Sequence, residues 1–165
     1  MHVQVENNQR GVNASQWNLA HTGIGSFNDR VREACNGGSP FADPRLQGYL
    51  TGLALQPNGF EQGDLEEQAK HLDHLRVMIS LGLAGNLRDY AVTDSCGNKV
   101  LGGDYGRVAY AASPEETVNY VSAHDNETLF DTIMLKVCVV LVGRFAGGRA
   151  EVGVSRCPSR MGGKM

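Results

Sequence analysis

"VNYVSAHDNETLFD", residues 118–131, sets four polar side chains directly behind a short apolar run. The β-branched and aromatic residues Val118, Tyr120 and Val121 predict a strand over 118–122. His124, Asp125, Asn126 and Glu127 crowd the point where that strand ends. From Asn126 a helical pattern through Leu129, Ile133 and Met134 runs on to Lys136. Two readings of the cluster are open. Asp125 suits the N-cap of the following helix, with Thr128 three residues on. Alternatively, a carboxylate and an imidazole at a strand end hold neighbouring hydroxyls of a sugar, because a carboxylate accepts hydrogen bonds from two adjacent hydroxyls.

Working outward, "GIGSFNDR" (23–30) predicts a second structured entry. Ser26 suits the cap of a helix reaching about Asn36, and "NGGSPF" stops it as paired glycines before a proline should. Asn28, Asp29 and Arg30 project near the start of that helix, where Asp29 also suits the macrodipole. Capping explains Ser26 and Asp29 but not the whole string. Pro57-Asn58-Gly59 marks a turn. The clearest helix follows, with Asp64 as N-cap and an apolar stripe of Leu65, Ala69, Leu72, Leu75, Ile79 and Leu83. A glycine-rich connection then leads to Pro114 and the strand at 118, the one strand the pattern makes convincing.

Composition bounds the function. The chain has 165 residues, 41% of them hydrophobic, which fits one globular domain. Its net charge of −3 gives no basic field for nucleic acid or an anionic membrane, so neither is an expected partner. The start, "MHVQVENNQRG", has no basic-then-apolar leader, and the longest apolar run, 137–142, is too short to span a bilayer. Four irregularly spaced cysteines without a C-x-x-C pair favour free thiols in a reducing compartment. His71 and His74 share a helix face, but no third ligand follows at a metal-site spacing, so they read as a solvated face and no metal is expected. "LGGDYG" (101–106) lacks the Lys-Ser/Thr of a phosphate loop.

"VNYVSAHDNETLFD" resembles the fourth signature region of glycoside hydrolase family thirteen, the α-amylase family. "RGVNASQWNL", "TGIGSFNDRVREACNGGSPF" and "QGYLTGLALQPNG" narrow the resemblance to its starch-debranching branch of limit-dextrinase and pullulanase type. The similarity runs from about Asn8 to Lys136. It implies an α/β fold, a (β/α)8 barrel, that hydrolyses α-1,6 linkages of branched α-glucans (starch, limit dextrins, pullulan) with retention, and without a cofactor. In that scheme one Asp is nucleophile and one Glu is general acid/base. A third carboxylate, here Asp125, stabilises the transition state, while His124 and Asn126 bind substrate. Asn28, Asp29 and Arg30 shape or support the cleft.

The resemblance also sets expectations about what is absent. The nucleophile strand, of the kind "GFRFD", does not occur, nor does the acid/base stretch that in this family lies just before "NQRGVNASQ". The chain is thus expected to be a partial barrel, from after strand 5 through strand 7, inactive alone. A non-catalytic glucan-binding piece or a truncated gene-model product is the alternative. Location in a plastid is implied, with no targeting peptide in the chain. Residues 1–136 form the expected barrel segment. Beyond Lys136 the composition turns Arg- and Gly-rich, so 137–165 is expected to be a disordered tail outside the family, translated from unspliced or out-of-frame sequence.

Overall fold

The computed structural model describes residues 15–137, 140–141 and 154–155. Their order is β1 (Ser26–Phe27), α1 (Asp29–Asn36), α2 (Leu65–Leu83), β2 (Ala91–Thr93), β3 (Lys99–Leu101), a 3₁₀ turn (Pro114–Glu116), β4 (Thr117–Val118), α3 (Leu129–Lys136), β5 (Val140–Leu141) and β6 (Val154–Ser155). β1 and β4 pair in parallel, Ser26 opposite Thr117 and Phe27 opposite Val118. β2–β3 and β5–β6 are separate antiparallel pairs. A second parallel contact joins Leu87 and Ala111. This is an α/β arrangement with parallel pairing across long crossovers, and no closed barrel forms among the described residues.

α2 starts as its sequence dictates. Asp64 Oδ1 accepts from the N–H groups of Glu66 and Glu67, both at 2.9 Å, and Glu67 Oε2 accepts from the Asp64 N–H at 3.0 Å. That reciprocal box satisfies the orphan donors of the first turn. Its buried face differs from the expected stripe. Leu65 and Leu83 are 84% and 76% exposed, whereas Val77 and Leu81 are fully buried. The reason is that α2 is covered on two sides. Leu75 packs with Ala34 and Leu53, while Val77 and Leu81 pack with Val92, Val108 and Ala109. A single stripe cannot describe a helix with two partners. Gly82 lies where any Cβ would strike Val31 of α1, so the glycine permits the close approach of the two helices.

Two expectations at the site end are corrected. The cap of α1 is Asn28, not Ser26: Asn28 Oδ1 accepts from Val31 N at 3.4 Å, while Ser26 is committed to β1. The helix ends at Gly37, whose φ of 87° is the left-handed conformation that glycine adopts without strain. The expected strand over 118–122 shortens to Thr117–Val118. Beyond Val118, side chains replace the ladder: Asn36 Nδ2 donates to Val121 O, and Ser122 Oγ accepts from Leu129 N. The β2–β3 hairpin was not expected. It turns on Asp94, which accepts from the Cys96 and Asn98 N–H groups at 2.9 and 2.8 Å.

The expected disordered tail at 137–165 lies mostly outside the described residues. Within it, Val140–Leu141 pairs antiparallel with Val154–Ser155. Among the described residues no helix is long and apolar enough to cross a membrane.

Candidate functional site: the ends of β1 and β4

Parallel pairing places the C-terminal ends of β1 and β4 side by side. Asn28, immediately after β1, donates its N–H to Val118 O at 2.9 Å. Its fully buried side chain donates from Nδ2 to Asn119 Oδ1 at 2.9 Å, and Asn119 Nδ2 donates to Gly82 O at 2.6 Å. One amide chain therefore ties the end of β1, the end of β4 and the last turn of α2 together. The sequence spacing gives no hint of it, since Asn28 and Asn119 are 91 residues apart.

Asp29 accepts from the Tyr120 hydroxyl at 2.7 Å. The Tyr120 ring meets Phe27 edge-on at 5.2 Å, and the Arg32 guanidinium stands 5.9 Å from its centroid. Burial first, then the bond to Asp29, pushes the Tyr120 pKa up to about 12. Arg30 turns the other way. Its guanidinium lies 5.2 Å over the Tyr110 ring and bonds Gln16 Oε1, and Gln16 Nε2 donates to Phe27 O at 2.6 Å. Of the three residues singled out in "GIGSFNDR", Asn28 and Asp29 hold the strand that leads to the polar loop, and Arg30 holds β1 from behind.

The loop itself presents His124, Asp125, Asn126 and Glu127 as exposed side chains. Asp125 does not cap α3. That role falls to Thr128, whose Oγ1 accepts from Asp131 N at 3.2 Å and donates to Asp131 Oδ2 at 2.7 Å. The capping reading of Asp125 is thereby removed. No hydrogen bond joins its carboxylate to a described residue, although its charge reaches Tyr120 and helps raise that pKa. An unengaged carboxylate beside an imidazole, on a loop pinned at both ends, is equipped to accept hydrogen bonds from vicinal hydroxyls.

Sequence reasoning missed Glu116. It is 3% exposed, and its carboxylate accepts from Ala112 N at 2.8 Å and Gly23 N at 3.1 Å. Those backbone bonds, Ala112 first, hold its pKa below the ordinary carboxylate value. It clamps the approaches to β1 and β4 together. The only signal was an acidic residue just after a proline.

His71 and His74 stay on the solvated face of α2, where His74 Nδ1 lies 2.8 Å from the Tyr105 hydroxyl. Among the described residues no group of three or more His, Cys, Asp or Glu is gathered to hold a metal ion. Cys35 and Cys96 are free thiols.

The architecture belongs with solved pullulanases. It matches the crystal structure of apo pullulanase from Klebsiella pneumoniae with a TM-score of 0.68 at 40% identity, covering 78% of this chain and 14% of that one. The same enzyme complexed with maltotriose matches at 0.68 and 40%, covering 75% and 12%. In sequence the chain is 54% identical to chloroplastic pullulanase 1 of Arabidopsis thaliana over 138 residues, 81% of this chain and 14% of that protein. It is 45% identical to the pullulanase of Klebsiella aerogenes over 131 residues, 74% and 12% respectively. The chain is homologous to the pullulanases, and spans 14% and 12% of the length of these two relatives. No family model matches it.

Proposed function

We propose that the chain forms one wall of the sugar cleft of a retaining, starch-debranching α-1,6-glucosidase of the pullulanase or limit-dextrinase type. Its substrates are branched α-glucans: starch, limit dextrins and pullulan. Asp125 offsets the positive charge of the oxocarbenium-like transition state, and His124 and Asn126 bind the hydroxyls of the same sugar. Asn28 and Asp29 fix the loop that carries them, and Arg30 steadies β1. β1 and β4 are two neighbouring strands of the (β/α)8 barrel, within the stretch from after strand 5 through strand 7. A parallel pair joined by a crossover containing α2 supports this, since barrels place functional side chains at strand C-termini. Residues 1–136 make up that barrel segment, and 137–165 stand outside it. The chloroplastic relative supports a plastid location.

The observation that carries this reading is the 54% identity to the chloroplastic pullulanase. Retaining hydrolysis needs a nucleophile and an acid/base facing each other across the scissile bond. The chain supplies only the third carboxylate, so it binds glucan without cleaving it. Incubation with pullulan, followed by reducing-end assay, should give no release above a buffer blank, while calorimetry detects maltotriose binding. Release of reducing ends shows that a catalytic pair is present after all. Absence of any maltotriose binding removes the sugar wall.

A further inference from the structure

Lys136 is the last residue of α3 and is 8% exposed. Its Nζ donates to Asn36 O at 2.6 Å and Gly37 O at 2.7 Å, at the end of α1. The same end of α1 holds the polar loop, because Asn36 Nδ2 donates to Val121 O at 3.0 Å. From there Ser122 Oγ accepts from the N–H of Leu129, the first residue of α3, at 2.7 Å. Both sides of the 124–127 loop are thus tied to one place. Its start hangs on Asn36, and the helix that follows it returns to Asn36 through Lys136.

The donor count of that tie decides how it responds to protons. An ammonium carries three N–H donors and a neutral amine two. Among the described residues, two carbonyls accept from Lys136 Nζ, which is the number an uncharged amine needs. The carbonyl end of α1 favours a cation, but both carbonyls serve the amine as well. Three charged groups face the site: Arg32 of α1, itself 7% exposed, Asp43 beyond the end of α1, and Glu127 of the loop. Burial first, then the Arg32 charge, lowers the Lys136 pKa to about 8, against the pull of Glu127. The folded value lies below the ordinary 10.5. The stabilisation from the tie is therefore present in full above that pH and is lost as the pH falls toward about 8.

We propose that Lys136 is a positioning residue for the 124–127 loop, a proton-sensitive latch that closes α3 onto α1 most firmly when its amine is uncharged. Asn36 relays its state to Val121. The consequence for glucan rests on the reading above, in which His124, Asp125 and Asn126 act from that loop. The latch is tested without sugar, so either can fail alone.

The wild-type chain, labelled with ¹³C and ¹⁵N, is titrated through alkaline pH by carbon-detected NMR. The signals followed are Lys136 Cε and the backbone carbonyls of Asn36, Val121 and Asp125. The latch expects one midpoint near pH 8 for all four, and its disappearance from the three carbonyls in Lys136→Met. A Cε midpoint at the ordinary 10.5 overturns it. Titration of Cε and Asn36 with Val121 and Asp125 unmoved also overturns it, and leaves Lys136 a structural contact only. In Asn36→Ala, Lys136 Cε should keep its midpoint while Val121 ceases to follow. Val121 still following in that variant would show a field acting through space rather than a positioning relay, and overturns the assignment. The sign is checked in denaturant melts, where the advantage of wild type over Lys136→Met should grow as the pH rises above 8. An advantage that shrinks means that the charge closes the contact, and overturns the latch as stated. If a variant does not fold, the wild-type titration decides.

Discussion

Tyr120 and Glu116 show how single side chains hold the ends of β1 and β4 in register. Tyr120 donates to Asp29, and its folded pKa of about 12 lies above the ordinary value of 10.0. The burial of its hydroxyl, and then the bond to Asp29, therefore link stability to pH: the contribution is present in full below pH 10 and is lost as the pH rises toward 12. An ultraviolet tyrosinate titration should show a last-titrating group that Tyr120→Phe removes, later than Tyr105, which burial also raises, and the variant should be less stable at neutral pH by about 1 kcal/mol. Titration of every tyrosine in one step would refute the arrangement. Glu116 has the opposite sign. Its folded pKa lies below 4.5, so its stabilisation is present above that pH and lost as the pH falls through the depressed value. Glu116→Gln should lower the melting temperature at neutral pH, with the gap from wild type narrowing in acid. A gap independent of pH would show that the carboxylate charge is not what clamps the turn. Asn28, Asp29 and Asp125 stood out in the sequence because short polar strings follow apolar ones. Glu116 and Asn119 did not, because Gly23, Asn28 and Gly82, which they bond, lie far away in the chain and no local pattern encodes them.

At the level of elements, legibility followed how local the forces are. The start of α2 was readable because the capping box is written in four consecutive residues, 64–67. Asp64→Ala should cost about 1 kcal/mol in denaturant melts. The buried face of the same helix was not readable, since two partners cover it and the sequence shows only where apolar residues fall. Leu81, fully buried against Val92 and Ala109, and Leu65, 84% exposed, separate the two readings. Leu81→Ala should cost about 2–5 kcal/mol, while Leu65→Ser should be close to neutral. Equal costs at both positions would restore the single stripe. The β2–β3 hairpin left a trace in "AVTDSCGNKVL", β-branched residues on either side of an Asp-to-Gly turn, but three-residue strands are too short for periodicity to register. The strand at 118–122 was over-extended for the converse reason: its composition is strand-like, yet side-chain bonds from Asn36 and Ser122 occupy it where a ladder would run.

For the whole molecule, the balance is between a small core and a large unpartnered apolar surface. Phe27 and Val118, on the paired strands, are 63% and 45% exposed, and Phe130 and Leu135 on α3 are 70% and 66% exposed. Parallel strands are normally covered on both faces. The chain should therefore self-associate with rising concentration in sedimentation experiments and bind a hydrophobic dye. A monomer at every concentration, silent toward the dye, would contradict that. The segment beyond Lys136 bears differently on this balance. The hydrogen bonds of Lys136 close the α1–α3 contact: its Nζ bonds the end of α1, and its carbonyl accepts from Gln47 Nε2 at 3.2 Å. β5 and β6, by contrast, pair with each other in a two-stranded sheet among the described residues. Among the described residues, the bonds that hold β1, β4 and the 124–127 loop all come from residues up to 137. Deleting residues 138–165 should accordingly leave the unfolding transition of the helices and the affinity for maltotriose within error of the full chain. A variant that melts earlier or binds maltotriose more weakly would mean that the segment is part of the fold and contributes to the sugar wall.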